Sequence, residues 1–410
     1  DSDRRAFLRR AALGGAAVAG APLLAGAAGK ESAPSSDPPR VRRRVRLGRT
    51  GLEIPDVSFG SSRLRGDEGL VRHALARGIT YFDTAETYTG GASEETLGRA
   101  LAGRRDEVVL ASKTKCGART SREELFRALE GSLRRLRTDR IDVYFNHAVN
   151  DRDRLRNEEW LEFADRARAQ GKIRFTGMSG HGGRLVECLD LALDEDLVDV
   201  ILVAFNFGQD PAFYEGFTRS FDFVATQPDL PRALAKAREK QVGVVAMKTL
   251  RGARLNDMRP YETGDATFAQ AALRWTLSHP HSDALVVSMT SREEVDEYLG
   301  ASGWTGLASG DRRLLVRYAH ATDALACRYG CDACAGACPH GVAIPDLLRA
   351  RMYAEDYGDA ALAREALTEA LPSDGTAPCL ACDGRPCADA CAYGLPLASL
   401  ARRTARRRSA

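Results

Sequence analysis

Residues 123–147 read EELFRALEGSLRRLRTDRIDVYFNH and combine two periodicities in one stretch. In residues 123–137, apolar side chains recur at helical spacing between charged ones. Residues 141–145 form a short apolar run with β-branched members, and polar Asn146 and His147 follow it. The stretch therefore predicts an amphipathic helix that leads into a buried strand.

The same alternation runs from Val45 to about Gly300. The candidate strands are residues 57–59, 80–82, 108–111, 141–145, 173–178, 200–203, 242–247 and 284–287. Eight strand–helix pairs over about 250 residues predict an α/β fold of the (β/α)8 TIM-barrel type, joined by right-handed crossovers. Chemistry in such a barrel lies at the carboxyl ends of the strands.

Polar residues follow three successive predicted strands. Asp83 follows the second strand, Lys113 the third and His147 the fourth, while Tyr88 lies five residues beyond Asp83 in the same loop. Taken singly, each also fits an ordinary role as a loop cap, a surface lysine or a satisfied strand-end histidine. Together, an acid, a lysine, a tyrosine and a histidine at one end of the barrel indicate a catalytic site.

Eight of the ten cysteines lie in two groups near the C-terminus. The first group is Cys327, Cys331, Cys334 and Cys338, followed by Pro339, and the second is Cys379, Cys382, Cys387 and Cys391. The spacings are C-x3-C-x2-C-x3-C-P and C-x2-C-x4-C-x3-C. Thiolates this close can surround one small inorganic core, and the runs resemble the bacterial ferredoxin signature for 4Fe–4S ligation.

That resemblance implies two clusters that exchange their fourth ligands. In two-cluster ferredoxins the fourth cysteine of each run binds the other cluster. By this rule Cys338 joins the first three cysteines of the second group, and Cys391 joins the first three of the first group. Cys116 and Cys188 lie elsewhere and fit ordinary buried small residues.

Zinc and disulfides are the alternative fates of these cysteines. Structural zinc sites also use C-x2-C pairs, but they usually set two such pairs well apart. Disulfide frameworks belong mostly to small domains without a core, whereas these groups occupy the last quarter of a 410-residue chain. The spacing therefore favours iron–sulfur clusters over both alternatives.

Several segments of the predicted barrel resemble the aldo/keto reductase family, in the same order. These segments are residues 46–52, 78–88, 94–98, 136–144, 171–174, 177–179 and 272–275. The resemblance covers roughly residues 43–300, and the cysteine region is similar to the subset of this family that carries a ferredoxin-type domain.

The resemblance implies a role for each of the four polar residues. Tyr88 is the acid/base, and the positive charge of Lys113 stabilises its tyrosinate form. Asp83 holds Lys113 in place, and His147 orients or polarises the carbonyl oxygen. A nicotinamide that lies across the barrel mouth supplies the hydride.

The resemblance also implies a cofactor site in the second half of the barrel. Its expected residues are Ser179, Met247, Lys248, Leu250 and Arg292. Here the chain departs from the family pattern, with Gly180 where asparagine is common and Leu202 near the usual glutamine. Met247 stands where a stacking tyrosine is usual, and Arg292 replaces the usual pair of cations for a 2′-phosphate, so both NADP and NAD remain open.

These features predict an oxidoreductase that transfers hydride between the nicotinamide and a carbonyl or alcohol substrate. Electrons then pass through the 4Fe–4S clusters to a redox partner protein. The alternative is an electron-transfer or regulatory binding subunit whose barrel is catalytically silent. Loops 206–226 and 251–265 are expected to set the substrate, and the net charge of only +3 gives no reason to expect nucleic acid.

The N-terminus resembles a twin-arginine export signal. Arg4 and Arg5 precede an apolar, glycine- and alanine-rich stretch at 11–28, with small residues at 25–27 as a cleavage site. The stretch is too weakly hydrophobic for a stable membrane span. It predicts an exported, periplasmic protein, whereas a disordered basic extension would leave the protein in the cytoplasm.

The expected organisation has five parts. They are a signal segment at 1–29, a linker at 30–42, the barrel at 43–305, the ferredoxin-type and mostly helical domain at 306–401, and a basic tail at 402–410.

Overall fold

The computed structural model describes residues 38–215, 227–250, 259, 262, 267–322, 327, 331–355, 358–372, 377–383 and 385–408. The expected signal segment, most of the linker and most of both substrate loops lie outside these residues. Within the described ranges, no helix is long and apolar enough to cross a membrane.

Eight parallel strands close into a barrel in chain order, with the last strand paired to the first. They are β3 (Val57–Gly60), β4 (Tyr81–Asp83), β5 (Val109–Thr114), β6 (Ile141–Asn146), β7 (Ile173–Gly180), β8 (Val200–Ala204), β9 (Gly243–Met247) and β10 (Ala284–Ser288). All eight predicted strands and the (β/α)8 TIM-barrel fold are therefore confirmed.

A short hairpin precedes the barrel and was absent from the prediction. Strands β1 (Arg44–Arg46) and β2 (Glu53–Pro55) pair antiparallel. Leu47, Leu52 and Ile54 of this hairpin pack with apolar side chains of the barrel interior. The hairpin thus adds its apolar residues to the inner core of the barrel.

Helices lie between the strands and after them. In chain order they are α1 (Glu68–Ala76), α2 (Ala92–Ala100), α3 (Arg122–Leu136), α4 (Glu158–Ala169), α5 (Leu185–Asp194), α6 (Pro211–Glu215), α7 (Leu230–Glu239), α8 (Phe268–Ser278), α9 (Arg292–Leu299), α10 (Asp311–Thr322), α11 (Ile344–Glu355), α12 (Ala360–Ala370) and α13 (Leu397–Ala405). Helix α3 begins with a capping box, in which Ser121 and Glu124 satisfy each other's backbone N–H groups.

Contacts with the barrel continue beyond residue 305. The Arg274 guanidinium of α8 lies 3.3 Å from the Asp311 carboxylate at the start of α10, and both side chains are buried. Leu314, Leu315 and Tyr318 of α10 belong to the main barrel core. Helix α10 follows the expected boundary at residue 305, and this buried ion pair and these apolar side chains pack it against the barrel.

Helices α11, α12 and α13 form a second, smaller core with the cysteine loops. Leu347, Leu367 and Leu397 are buried in it, and six of the eight grouped cysteines are buried or packed against it. The expected basic tail is helical instead, since α13 continues to Ala405. Two of its arginines, Arg403 and Arg407, form ion pairs with Glu355 at 2.7 and 3.0 Å.

Candidate active site

The first site feature is a buried ion pair between two neighbouring strands. Asp83 is the last residue of β4, and Lys113 lies near the end of β5, which pairs with β4. The Lys113 ammonium donates to Asp83 Oδ1 at 2.6 Å and to the Thr84 carbonyl at 2.6 Å. The side chains are only 1% and 5% exposed, so the reading of Lys113 as a surface lysine does not hold.

Tyr88 and His147 complete the group. Tyr88 begins a short 3-10 turn after β4, and Lys113 Nζ lies 4.8 Å from the centre of its ring. His147 follows β6, and its ring centre lies 5.7 Å from that of Tyr88 in an edge-on arrangement. The four polar residues expected at the strand ends thus lie together at one end of the barrel.

Tyr88 is protonated at neutral pH, because its pKa lies above the usual tyrosine value. Burial raises the pKa of Tyr88, and the Lys113 charge opposes this effect without cancelling it. Burial alone would lower the pKa of Lys113, but the charges of Asp83 and Tyr88 raise it above its usual value. The lysine therefore stays charged beside the phenol, where a positive charge favours the tyrosinate form.

His147 is held as a neutral ring. Its backbone N–H donates to the Thr114 carbonyl at 2.8 Å, and its own carbonyl accepts from Arg154 at 2.7 Å. Burial, and then the charge of Lys113, lower the pKa of His147 well below its usual value. A neutral imidazole in this position can donate a hydrogen bond to a substrate oxygen without carrying a charge.

These residues open into a cavity of about 370 Å³, which is within the usual range for small-ligand sites. Ser179, Met247, Lys248 and Leu250 line it together with the four polar residues. The structure therefore brings four of the five expected cofactor residues to the site. Arg292, the fifth, begins α9, is exposed and is absent from the cavity lining.

Two departures from the family pattern have different structural consequences. Leu202 is 1% exposed and packs inside the barrel, so it is not part of the cavity wall. Met247 does line the cavity, at the end of β9. Lys248 follows it with a φ of 57°, a backbone conformation that is uncommon for a lysine and is often found at functional sites.

The cavity contains polar atoms that can bind a ligand. Four polar atoms around it, Asp83 Oδ2, His147 Nδ1, His181 Nδ1 and Thr249 Oγ1, have no hydrogen-bond partner in the part of the chain that the structure describes. Buried polar groups are normally paired, so these atoms indicate a ligand or water at the site. Ser179 Oγ is already engaged, since it accepts from the Ala148 N–H at 3.0 Å.

Cavity residues that the sequence reasoning missed include His181 and Tyr353. His181 directly follows β7, so the rule that found Asp83 and His147 could have found it as well. Burial lowers the pKa of His181 well below its usual value. Tyr353 comes from α11 in the cysteine region, and no local signal in the sequence connects it to the barrel.

We expect the free energy of unfolding to decrease as the pH falls below about 6.5, the usual histidine value in an unfolded chain. Burial lowers the pKa of His147 and His181, and it lowers the pKa of His279 to about 4. At these three histidines, the unfolded chain therefore binds more protons than the folded one below that pH. Urea unfolding at several pH values measures the slope.

A matched pair of variants tests this expectation. His279→Gln should reduce the slope of the free energy of unfolding against pH by up to about 1.4 kcal/mol per pH unit. The exposed His340→Gln should leave it unchanged. Equal slopes in both variants would contradict the assignment of the slope to buried histidines.

The structure brings the eight grouped cysteines together as two sets. Burial, and then the charges of Cys327, Cys331 and Cys391, raise the pKa of Cys334 to about 12. Burial, and then the charges of the remaining three grouped cysteines, likewise raise the pKa of Cys379. The four cysteines of this second set line a small cavity, and they are Cys338, Cys379, Cys382 and Cys387.

No disulfide links any of the cysteines that the structure describes. The described residues also contain no group of three or more His, Cys, Asp or Glu side chains that could hold one metal ion.

Comparisons with known proteins place the barrel among oxidoreductases. Residues 63–211 match the aldo/keto reductase family model. L-galactose dehydrogenase of Arabidopsis thaliana is 26% identical over an alignment of 294 residues, and the match covers 62% of this chain and 86% of that protein. Methylglyoxal reductase YeaE of Escherichia coli is 33% identical over an alignment of 138 residues, and the match covers 31% of this chain and 46% of that protein.

An aldo-keto reductase from Klebsiella pneumoniae, solved in complex with NADPH, is 26% identical with a TM-score of 0.54. The match covers 68% of this chain and 95% of that chain. The chain spans about half of the length of three curated relatives, with 48%, 44% and 46% covered.

The fold, the cavity and these matches support the class of NAD(P)-dependent oxidoreductases that are built on a (β/α)8 barrel. Residues 63–211 and the barrel fold are similar to those of the aldo/keto reductase family, which is the family that the sequence motifs resemble.

Proposed function

We propose that this protein transfers hydride between a nicotinamide cofactor and a carbonyl or alcohol substrate at the barrel mouth. The observation that carries the proposal is the buried pair of Lys113 and Asp83, with Nζ and Oδ1 2.6 Å apart, beside Tyr88 and His147. A silent barrel would have no use for a buried ammonium that faces a phenol, because burial of the charges costs free energy.

Each residue of the cavity has a separate role in this reaction. Ser179, Met247, Lys248 and Leu250 would hold the nicotinamide cofactor, which supplies the hydride when bound. Tyr88 gives its phenolic proton to the substrate oxygen, and the Lys113 charge stabilises the tyrosinate that remains. Asp83 fixes the position of Lys113. The neutral ring of His147 donates a hydrogen bond to the same substrate oxygen.

The test is the oxidation of NADPH and NADH, followed by absorbance, with small aldehydes as substrates. Methylglyoxal, and L-galactose with the oxidised cofactors, are reasonable first substrates, because relatives are named for them. We expect turnover with at least one pair. If neither nucleotide binds and none of the substrates is converted, the hydride-transfer proposal is wrong.

We also infer that the two cysteine sets hold 4Fe–4S clusters. A zinc site needs all its sulfurs about 2.3 Å from one point, whereas each thiolate of a cluster binds its own iron. The described residues lack a single-ion group, yet Cys338, Cys379, Cys382 and Cys387 surround one small cavity. This donor set fits a cluster better than it fits zinc.

The clusters would connect the hydride site to a redox partner protein. Each hydride that is transferred takes both electrons to the substrate and leaves NAD(P)⁺, and two clusters that each supply one electron, with one proton from solvent, would restore NAD(P)H. We further propose that residues 1–29 direct the protein to the periplasm by the twin-arginine route, which exports proteins that are already folded. The cofactors would then be acquired before export.

Metal analysis tests the cluster proposal. We expect about eight irons and about eight acid-labile sulfides per chain. Cys382→Ser should lower the iron content by about half, whereas Cys188→Ser, a buried cysteine on α5, should leave it unchanged. Zinc without iron, or equal iron in both variants, would contradict the proposal.

A further inference from the structure

The cavity wall is built by two regions of the chain. Asp83, Tyr88 and His147 line it from the barrel, whereas Tyr353 lines it from helix α11, which lies in the cysteine region. The cavity volume of about 370 Å³ is near the lower end of the roughly 300–1,000 Å³ that small-ligand sites span. Because a nicotinamide ring and a substrate would have to share this volume, the wall limits the size of the substrate.

The loop that follows β3 adjoins the side chains that would react. The Ser61 N–H donates to the Asp83 carbonyl at 3.0 Å, and Ser61 Oγ donates to the same oxygen at 2.7 Å. Thr89, next to Tyr88, donates through its hydroxyl to the Leu64 carbonyl at 3.1 Å. This loop is therefore bonded to the segment that carries Asp83 and Tyr88.

A chain of contacts leads from this loop to Tyr353. Arg63, which also lines the cavity, forms an ion pair with Asp359 at 3.5 Å, and the two side chains are only 25% and 16% exposed. The Asp359 N–H donates to the Tyr353 carbonyl at 2.9 Å. Asp359 thus connects the last turn of α11 to the loop that adjoins Tyr88.

A second contact joins the cysteine region to the barrel. Asp332, between Cys331 and Cys334, accepts from the Gly183 N–H at 2.6 Å and from Asn150 Nδ2 at 2.9 Å. A Cβ added at Gly183 would lie 2.7 Å from Asp332 Cβ, which is closer than side chains approach. The region is therefore held against the barrel at two separate points, and both must break before α11 can leave the cavity.

The residues expected to hold the nicotinamide lie on other strands. Ser179 is in β7 and Met247 ends β9, and neither strand pairs with β3. Strand β4, which carries Asp83, does pair with β3. Tyr353, which is connected to the loop after β3, therefore fits a contact with the substrate better than a contact with the nicotinamide.

We propose that Tyr353 determines substrate specificity: its ring, supplied by the cysteine region, closes the substrate side of the cavity and restricts the reaction to small carbonyl compounds. This inference rests on the proposed hydride transfer for the position of the substrate. The region that would carry electrons then also selects the molecule that is reduced.

The test is the binding of two aldehydes that differ by one fused ring. The holoprotein, saturated with NADP⁺ so that no hydride can be transferred to the aldehyde, is titrated with benzaldehyde and with 2-naphthaldehyde. Compared with the wild type, Tyr353→Ala should shift the ratio of the two affinities about tenfold toward 2-naphthaldehyde, because the space of the lost ring admits the second ring. Tyr353→Phe, which keeps the ring, should leave the ratio within about twofold of the wild type.

Two further variants complete the design. Tyr353→Leu removes less volume and should shift the ratio in the same direction by less, which decides the question if Tyr353→Ala does not fold. The control is Leu380→Ala, since the Leu380 side chain is 41% exposed in the cysteine region, is absent from the cavity lining and should not affect the ratio.

An unchanged ratio in Tyr353→Ala and Tyr353→Leu would overturn the proposal, as would an equal shift in Tyr353→Phe. Weaker binding of NADP⁺ with an unchanged ratio would assign Tyr353 to the cofactor and would overturn it as well. If the ratio shifts as expected but the wild-type protein with NADPH reduces neither aldehyde, the wall formed by Tyr353 is supported and only the hydride-transfer proposal is contradicted.

Discussion

Tyr88→Phe is expected to lower kcat for carbonyl reduction by about 10²–10⁴-fold, the usual contribution of a positioned acid. The variant removes the only atom of Tyr88 that can give a proton to the substrate oxygen, and it leaves the ring in contact with His147 and Lys113. Steady-state kinetics with a saturating aldehyde measure the effect. The affinity for NADP⁺ and the iron content should stay unchanged.

The matched control is Tyr144→Phe. Tyr144 is buried against Trp160 and Phe163 of α4, outside the cavity lining, so its hydroxyl should not affect turnover. A Tyr88→Phe protein as active as the Tyr144→Phe control would contradict the assignment of the acid.

The raised pKa of Tyr88 also determines the pH dependence of the two directions. Because the phenol is protonated below its pKa, which lies above 10, carbonyl reduction should not decline between pH 7 and 9 through loss of this proton. Alcohol oxidation needs the tyrosinate, so its rate should rise with pH over the same range. Initial rates in both directions measure these trends, and parallel profiles would contradict them.

Lys113→Met is expected to lower the free energy of unfolding by about 3–5 kcal/mol, as is usual when one partner of a buried ion pair is removed. The substitution leaves the Asp83 carboxylate buried, and burial already raises the pKa of Asp83. The double variant Lys113→Met/Asp83→Leu should regain much of the loss, because no charge remains in the core. Urea unfolding of the wild-type, single and double variants measures these values.

The exposed Lys240→Met is the control and should change the free energy of unfolding by less than about 0.5 kcal/mol. A double variant no more stable than Lys113→Met would show that the loss comes from packing around the lysine stem. Both Lys113 variants should lack activity, since each removes the charge that stabilises the tyrosinate.

The barrel was predictable because its signal is local. Each strand is a short apolar run, each helix has an amphipathic period, and the closed parallel sheet follows from their alternation. The same logic placed Asp83, Lys113 and His147 at one end of the barrel, because parallel strands bring their carboxyl ends together. It would also have found His181, had it been applied to β7.

The contributions from α11 could not be predicted in this way. Tyr353 lines the cavity from a region that contacts the barrel through Asp332 and Asp359. Such contacts join residues that are far apart in the chain, and no periodicity encodes them. Helix α10, which follows the expected boundary at residue 305, packs with the barrel through long-range contacts of the same kind.

Transfer of deuterium is the most direct test of hydride transfer at this site. The wild-type protein is incubated with an aldehyde and NADPH that is deuterated at C4 of the nicotinamide, on each face in turn, and the alcohol is analysed by mass spectrometry. We predict one deuterium per alcohol molecule from one of the two faces, and almost no labelled alcohol from Tyr88→Phe. Oxidation of the cofactor with no deuterium in the alcohol from either face would contradict hydride transfer between the nicotinamide and the substrate.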